Sequence, residues 1–454
     1  MPSHSVADRT ASGALLTLAL PIIGVNVGMM LMGTVDTIMV GRVSPEALAA
    51  VALGNVIFFA LSIFGVGVLL AVDPIISQAV GARNDLGVAL GAQRGLILAA
   101  VLSVPIGAAL FGAGPSLRLF QQPAGVVPLA ATYCAILVPG VLPFFAFNVG
   151  RQTLQAMHRV APVLWAIGVA NLLNILLNRF LIFGGLGIPA MGVAGSAWAT
   201  TISRVVTLPL LFYFARRELI PLFRPWLPAA ARLAPLRSML RIGLPIGVQL
   251  ELEMSAFAAV ALLMGRFGTI QVAGHQVALN LASLTFMVPM GIGMSAAVLA
   301  GNAVGRADAP GLRAASRAAL GTGVAFMCCT ALLFLAFPTL LAGIYTNDAA
   351  VLGFAATLLP IAGVFQVFDG VQVVAAGILR GLGDTRAPML INLAGFTGVG
   401  LSMSVYLGFY TSLGAIGLWW GLVIGLATVA GILLIRLRHA LRRPVTAWDV
   451  HRHD

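Results

Sequence analysis

Twelve runs of about twenty apolar residues take up most of this 454-residue sequence. A run of that length matches one helical crossing of a bilayer's hydrocarbon core. Lipid leaves only closed barrels and helices able to satisfy their own backbone groups. The runs read as helices over 13–40, 47–72, 90–113, 126–150, 160–183, 192–215, 240–265, 273–300, 315–340, 350–378, 388–410 and 414–436. Composition agrees: 60% of residues are hydrophobic and 9% charged, whereas a soluble domain has about a quarter of its residues charged. The prediction is an all-α polytopic membrane protein with the lipid bilayer as its main partner. The opening residues lack a basic segment before a short apolar run, which predicts no cleaved leader.

An even number of spans puts both termini on one side, and arginine chooses the side. All 26 basic residues are Arg. Twenty-one fall in the tails and in loops assigned to the terminal side, among them Arg83, Arg94, Arg151, Arg306, Arg380 and Arg386; Arg42, Arg118 and Arg266 lie opposite. The positive-inside rule then predicts cytoplasmic termini. Arg179 and Arg204 fall within spans, where snorkelling or a structural ion pair is expected. The net charge of +12 is scattered through short loops and forms no basic domain, which excludes nucleic-acid binding. Cys134, Cys328 and Cys329 lie in apolar segments without disulfide or metal-ligand spacing.

The sequence also repeats itself. LPIIGV at 20–25 returns as LPIGV at 244–248, MVGR at 39–42 as LMGR at 263–266, and SQAVGA at 77–82 as GNAVGR at 301–306, all at an offset of 224. Asn55 matches Asn280 at 225. Each half holds six spans, so the halves are parallel repeats, the organisation of an alternating-access transporter. The predicted divisions are an amino-terminal lobe at 1–215, a cytoplasmic linker at 216–239, a carboxy-terminal lobe at 240–436 and a tail at 437–454.

Five carboxylates fall inside spans: Asp36, Asp73, Glu251, Glu253 and Asp369. Each costs about 2.5–3.5 kcal/mol on insertion scales, so ionisable groups there mark ion pathways by default. At the repeat offset Asp36 corresponds to Val260 and Glu253 to Met29, which favours site chemistry over shared scaffold. Gln249 and Glu253 are four apart on one helix face; Glu251 points nearly the opposite way. Gln366, Asp369 and Gln372 form a polar stripe with Phe365 one turn before the Asp. Gln276, Asn280 and nearby His275 form a weaker one. Asn171, Asn174 and Asn178 align on one face, ready to bond a carboxylate or to join helices. For Asp73, before a proline near a span end, a helix-capping or ion-pair role is expected at least as much as a role in the site. GLGD at 381–384 looks like an intramembrane protease signature, but its flanking Arg380 and Arg386 fit a salt-bridged cap at a helix end. No HExxH, Ser–His arrangement or phosphate-binding loop occurs.

VDTIMVG at 35–41, GLPIG followed by Glu253, VAGHQVALN at 272–280, FQVFDG at 365–370 and GILRGLGDTRAP at 377–388 resemble the multidrug and toxic compound extrusion (MATE) family, in particular its bacterial NorM-like branch. The resemblance spans essentially the whole chain. It implies a monomeric inner-membrane antiporter, not an enzyme, that exports cationic or amphipathic drugs and dyes in exchange for Na⁺ or H⁺ and needs no cofactor. It implies a carboxy-terminal cation site at Glu253 and Asp369, with Phe365 where some relatives carry Tyr. It implies an amino-terminal site at Asp36, Asn174 and Asn178. Na⁺ would bind at one or the other. Glu251 and Asp73 match no family role. The rival expectation is a lipid-precursor flippase on a related fold, which would show several basic residues in its spans; an intramembrane protease is a more distant one.

Overall fold

A computed structural model describes residues 3–119, 122–185, 187 and 189–443, with backbone alone for 3–10. Twelve of its helices are long and apolar enough to cross a membrane. In chain order they are α1 (Ala11–Val40), α2 (Pro45–Gly81), α3 (Asp85–Phe111), α4 (Val126–Ala156), α5 (Ala161–Phe183) and α6 (Gly192–Phe214). The second six are α7 (Leu233–Phe267), α8 (Thr269–Gly305), α9 (Ala309–Ala336), α10 (Ala349–Gly381), α11 (Arg386–Phe409) and α12 (Ala415–Arg442). Several outrun the apolar stretches that mark them, because helical hydrogen bonding continues into the interface, where polar side chains are solvated. The largest extension is in α2, expected to end at residue 72. It breaks at Leu70–Ala71 and resumes to Gly81 with Asp73 in the new first turn, a position where the helix dipole favours a carboxylate.

The repeat is visible in backbone detail. After α2, Arg83 adopts φ 56°, and after α8, Ala307 adopts φ 54°; both positions are 224 apart. Each is followed by a side-chain cap, Gly87 N donating to Asn84 Oδ1 at 2.9 Å and Gly311 N donating to Asp308 Oδ1 at 2.8 Å. Such caps satisfy amides that the first helical turn leaves unpaired.

By packing, the described residues form two compact units. One holds the residues up to Ile23 together with those from Val248 onward; the other is Gly24–Gly247. The chain therefore changes unit inside α1 and inside α7, and not at the join between repeats. Ile23 and Gly247 lie 224 residues apart, and Pro21 and Pro245 precede these points by two residues in each case. A mid-helix proline removes one backbone hydrogen bond and loosens the local turn.

In the Gly24–Gly247 unit, the segment after α6 is packed down. It forms a helix at Arg216–Phe223 and a turn at Pro228–Ala231. Gln93 of α3 donates to the Leu222 carbonyl at 2.8 Å and the Pro225 carbonyl at 3.2 Å, and accepts from Leu227 N at 2.9 Å. Arg94 donates to the Ala229 carbonyl at 3.2 Å. Arg94 and Arg151, grouped with the loops from sequence, are buried inside α3 and α4. Their guanidinium groups are tied to internal oxygens, which apolar periodicity does not reveal.

In the other unit, α8 and α10 cross at Gly293 and Gly377, where a Cβ on Gly377 would collide with the Gly293 carbonyl. This crossing brings the polar positions of α10 close to α7 and α8. A nine-residue π-helical stretch, Leu393–Leu401, lies within α11 and carries Phe396 into the core.

Candidate functional site

In the Gly24–Gly247 unit a buried polar cluster forms around Asp36, which is 2% exposed. Its Oδ1 accepts from Asn178 Nδ2 at 2.6 Å and its Oδ2 from Thr200 Oγ1 at 2.7 Å. The same Asn178 amide donates to Asn174 Oδ1 at 3.1 Å. Asn171 lies outside this set, since its amide donates to the Gly28 carbonyl at 2.9 Å. α1 and α5 are thus tied twice along one seam, once through backbone and once through the carboxylate.

Three further members join it: Thr200 and Tyr133, which have no local sequence signature, and Arg204, an arginine already conspicuous within a span. Thr200 and Arg204 are four apart on α6, hence on one face. The Arg204 guanidinium carbon lies 3.8 Å from the Phe58 ring centre and 5.3 Å from that of Phe144, a cation–π seat. Tyr133, fully buried, donates its hydroxyl to Asn55 Oδ1 at 3.0 Å. Tyr133 and Arg204 are both within electrostatic reach of Asp36. A second acid–base couple lies elsewhere in the unit. Arg151 donates to Asn148 Oδ1 at 3.1 Å and Asn26 Oδ1 at 3.4 Å and interacts electrostatically with Asp73, which favours the ion-pair reading of Asp73 over a site role.

In the other unit Glu253 of α7 and Asp369 of α10 interact electrostatically. Gln372 donates to Glu253 Oε2 at 3.3 Å, while Asp369 Oδ1 is buried without a hydrogen-bond partner. Gln249 is buried on α7 one turn before Glu253. Gln366 points elsewhere: it donates to Thr285 Oγ1 at 2.5 Å and accepts from Thr330 Oγ1 at 3.1 Å. Residues three apart drift about 60° around a helix with 3.6 residues per turn. A stripe of three therefore winds away from one face, sending Gln366 toward α8 and α9 and Gln372 toward α7.

Phe365 stands edge-on to Phe257 at 5.9 Å and to Trp419 at 6.0 Å, and Phe257 lies 6.3 Å from Phe396. Trp419 Nε1 donates to His275 Nδ1 at 3.1 Å. His275 is therefore a buried neutral imidazole bonded to the aromatic wall. Gln276 is exposed, and Asn280 and Glu251 are half-buried, Glu251 Oε2 without a hydrogen-bond partner. Asp384, the GLGD aspartate, accepts from Arg436 of α12 at 2.7 Å and from Ala387 N at 3.4 Å. It is an ion-paired cap at a helix end, and its partner is an arginine 52 residues away that its neighbours in sequence do not announce.

Twelve membrane-crossing helices among the described residues, an internal six-helix repeat and carboxylates buried within the spans point to a polytopic membrane transporter rather than an enzyme. Comparison with known proteins agrees. The MatE family profile matches residues 21–180 and 245–406, two segments that start at the repeat offset, and the chain belongs to that family. It is 38% identical to the probable multidrug resistance protein NorM of Mesorhizobium japonicum, covering 93% of this chain and 92% of the relative. It is 34% identical to the multidrug resistance protein MdtK of Edwardsiella ictaluri, with 97% of each covered. Among solved structures it resembles the eukaryotic MATE transporter AtDTX14, with a TM-score of 0.86 and 20% identity over 97% of this chain and 100% of that one. That likeness concerns the fold.

Proposed function

We propose that this protein exports cationic or amphipathic compounds in exchange for Na⁺ or H⁺, as an alternating-access antiporter of a bacterial inner membrane with both termini in the cytoplasm. The observation that carries the reading is the pair Glu253 and Asp369. Both lie in membrane-crossing helices, and among the described residues no basic side chain pairs with either. Two carboxyl groups without a counter-charge favour uptake of a proton or a small cation, because water-poor surroundings disfavour the bare charged form.

Such uptake changes the local charge, and a two-state carrier responds to a ligand only through its differential affinity for the two states. A cationic drug and the coupling ion seek the same negative charge, so they exclude one another. Exchange follows from that competition. The multidrug names of the relatives support the substrate class.

Reconstitution in liposomes tests this. Movement of a cationic dye such as ethidium is expected under an imposed ΔpH or ΔNa⁺, applied separately, and is expected to vanish in Asp369→Asn protein that inserts and purifies normally. Wild-type exchange by that variant overturns the assignment.

A further inference from the structure

We propose that the segment joining α6 to α7 binds an anionic phospholipid, with Arg216 and Arg217 taking the headgroup phosphate while Ile220 and Trp226 enter the apolar layer beside it. Such binding is independent of the antiport reading and gives a partner to a surface outside both buried carboxylate clusters.

The depth of the segment follows from chain connectivity. α6 is 23 residues long and covers about 34 Å, little more than the hydrocarbon core of about 30 Å. It ends at Phe214, and the linker helix Arg216–Phe223 starts two residues later, so its first turn lies among the headgroups. The far end of the segment is pinned at a similar level. Leu227 N is bonded to Gln93, which lies about 12 Å along the axis of α3 from its first residue, Asp85. Trp226, next to that bond, is thereby fixed near the boundary between headgroups and hydrocarbon, where Trp and Tyr are enriched.

The side chains that face outward are of two kinds. At about 100° per residue, Leu219 and Leu222 fall on one side of the linker helix and are buried. Arg216, Ile220 and Arg217 follow one another around the other side. Ile220, 44% exposed, therefore stands between two exposed arginines. Trp226 is 48% exposed, with Arg224 exposed two residues before it. The Arg216 guanidinium carbon lies 5.6 Å from the Tyr213 ring centre, a cation–π contact that holds it at the end of α6. Among the described residues no carboxylate engages Arg216, Arg217 or Arg224.

A phospholipid matches both kinds of group at once. Its phosphate oxygens accept guanidinium hydrogens in pairs, and its acyl chains cover Ile220 and the indole. Residues 216–232 carry four arginines against a single acid, Glu218. That balance favours a lipid with net negative charge over a zwitterionic one, whose ammonium offsets its own phosphate.

The test is thermal melting of the purified full chain in a neutral detergent, with rising mole fractions of dioleoylphosphatidylglycerol or dioleoylphosphatidylcholine. Phosphatidylglycerol is expected to raise Tm and phosphatidylcholine is not. Arg216→Gln/Arg217→Gln is expected to need about 25-fold more phosphatidylglycerol for half the rise, about 1 kcal/mol for each arginine. Arg313→Gln/Arg317→Gln removes the same charge from exposed positions at the start of α9 and is expected to keep the wild-type response. Trp226→Ser keeps every arginine and is expected to weaken the response. An undiminished response in Arg216→Gln/Arg217→Gln or an equal loss in Arg313→Gln/Arg317→Gln overturns the proposal. So does an equal rise with phosphatidylcholine or with inorganic phosphate alone. Should Arg216→Gln/Arg217→Gln not fold, an unchanged response in Trp226→Ser overturns the proposal and a weakened one supports it.

Discussion

Asn178 donates its amide to Asp36 at 2.6 Å, and seven residues earlier Asn171 donates to the Gly28 carbonyl at 2.9 Å. Two amides of one stripe thus do different work. Asn178→Leu leaves a buried carboxylate oxygen without its donor, a loss of about 1–3 kcal/mol, and dye exchange is expected to fall about tenfold or more. Asn171→Leu removes one interhelical bond, worth about 0.6 kcal/mol, and is expected to lower Tm slightly while sparing exchange. Exchange rates of the two variants in liposomes, normalised to inserted protein, check the split; equal loss of exchange would refute it.

Gln366 and Gln372 separate in the same way. Gln372 touches Glu253, whereas Gln366 joins α10 to α8 and α9 through Thr285 and Thr330. Gln372→Leu is expected to shift the half-saturating concentration of the coupling ion with little change in Tm. For Gln366→Leu the larger effect is expected in Tm, because Thr285 and Thr330 lose a shared partner. Ion titrations and thermal melts of both variants decide between them.

How far the sequence discloses this arrangement depends on the range of the contacts involved. Span positions follow from apolar run length, and the repeat carries even the left-handed turn residues Arg83 and Ala307. Asp36, Asn174 and Asn178 are legible because a carboxylate in a span is costly and asparagines at helical spacing share a face. Thr200 and Tyr133 are not, since each looks like ordinary span content until α4 and α6 fold beside α1; Arg204 stands out as a span arginine, but the residues it faces do not follow from its neighbours in sequence. The same holds for Arg436 opposite Asp384, and for the unit changes inside α1 and α7, which depend on packing around Pro21 and Pro245.

The Asp384–Arg436 pair is partly exposed, with side chains 21% and 36% accessible, so solvent screens it. A double-mutant cycle through Asp384→Asn and Arg436→Gln is expected to give a coupling of about 0.2–1 kcal/mol. Dye exchange should persist in both single variants. A complete loss of exchange in Asp384→Asn with unchanged Tm would assign this aspartate a chemical role that its ion pair does not suggest.

Trp419 and His275 form a buried hydrogen-bonded pair in the aromatic wall. An indole N–H only donates, so Nδ1 of His275 must accept and Nε2 must carry the hydrogen; both residues are 1% exposed. Trp419→Phe keeps a ring near Phe365 but leaves Nδ1 without its donor in a dry site. Loss of that bond costs about 1–3 kcal/mol, and the smaller ring adds a cavity term. His275→Phe removes the acceptor and leaves the indole N–H unpaired at a similar cost. If the hydrogen bond is the link, the double variant is less destabilised than the two single losses added together. Their difference is expected near about 0.6 kcal/mol and not above about 1.7 kcal/mol, the average and the maximum for hydrogen bonds between membrane helices. Urea-free thermal melts in one detergent give all four corners of the cycle. Strict additivity would mean that Trp419 and His275 stabilise the unit only through packing against Phe365 and its neighbours.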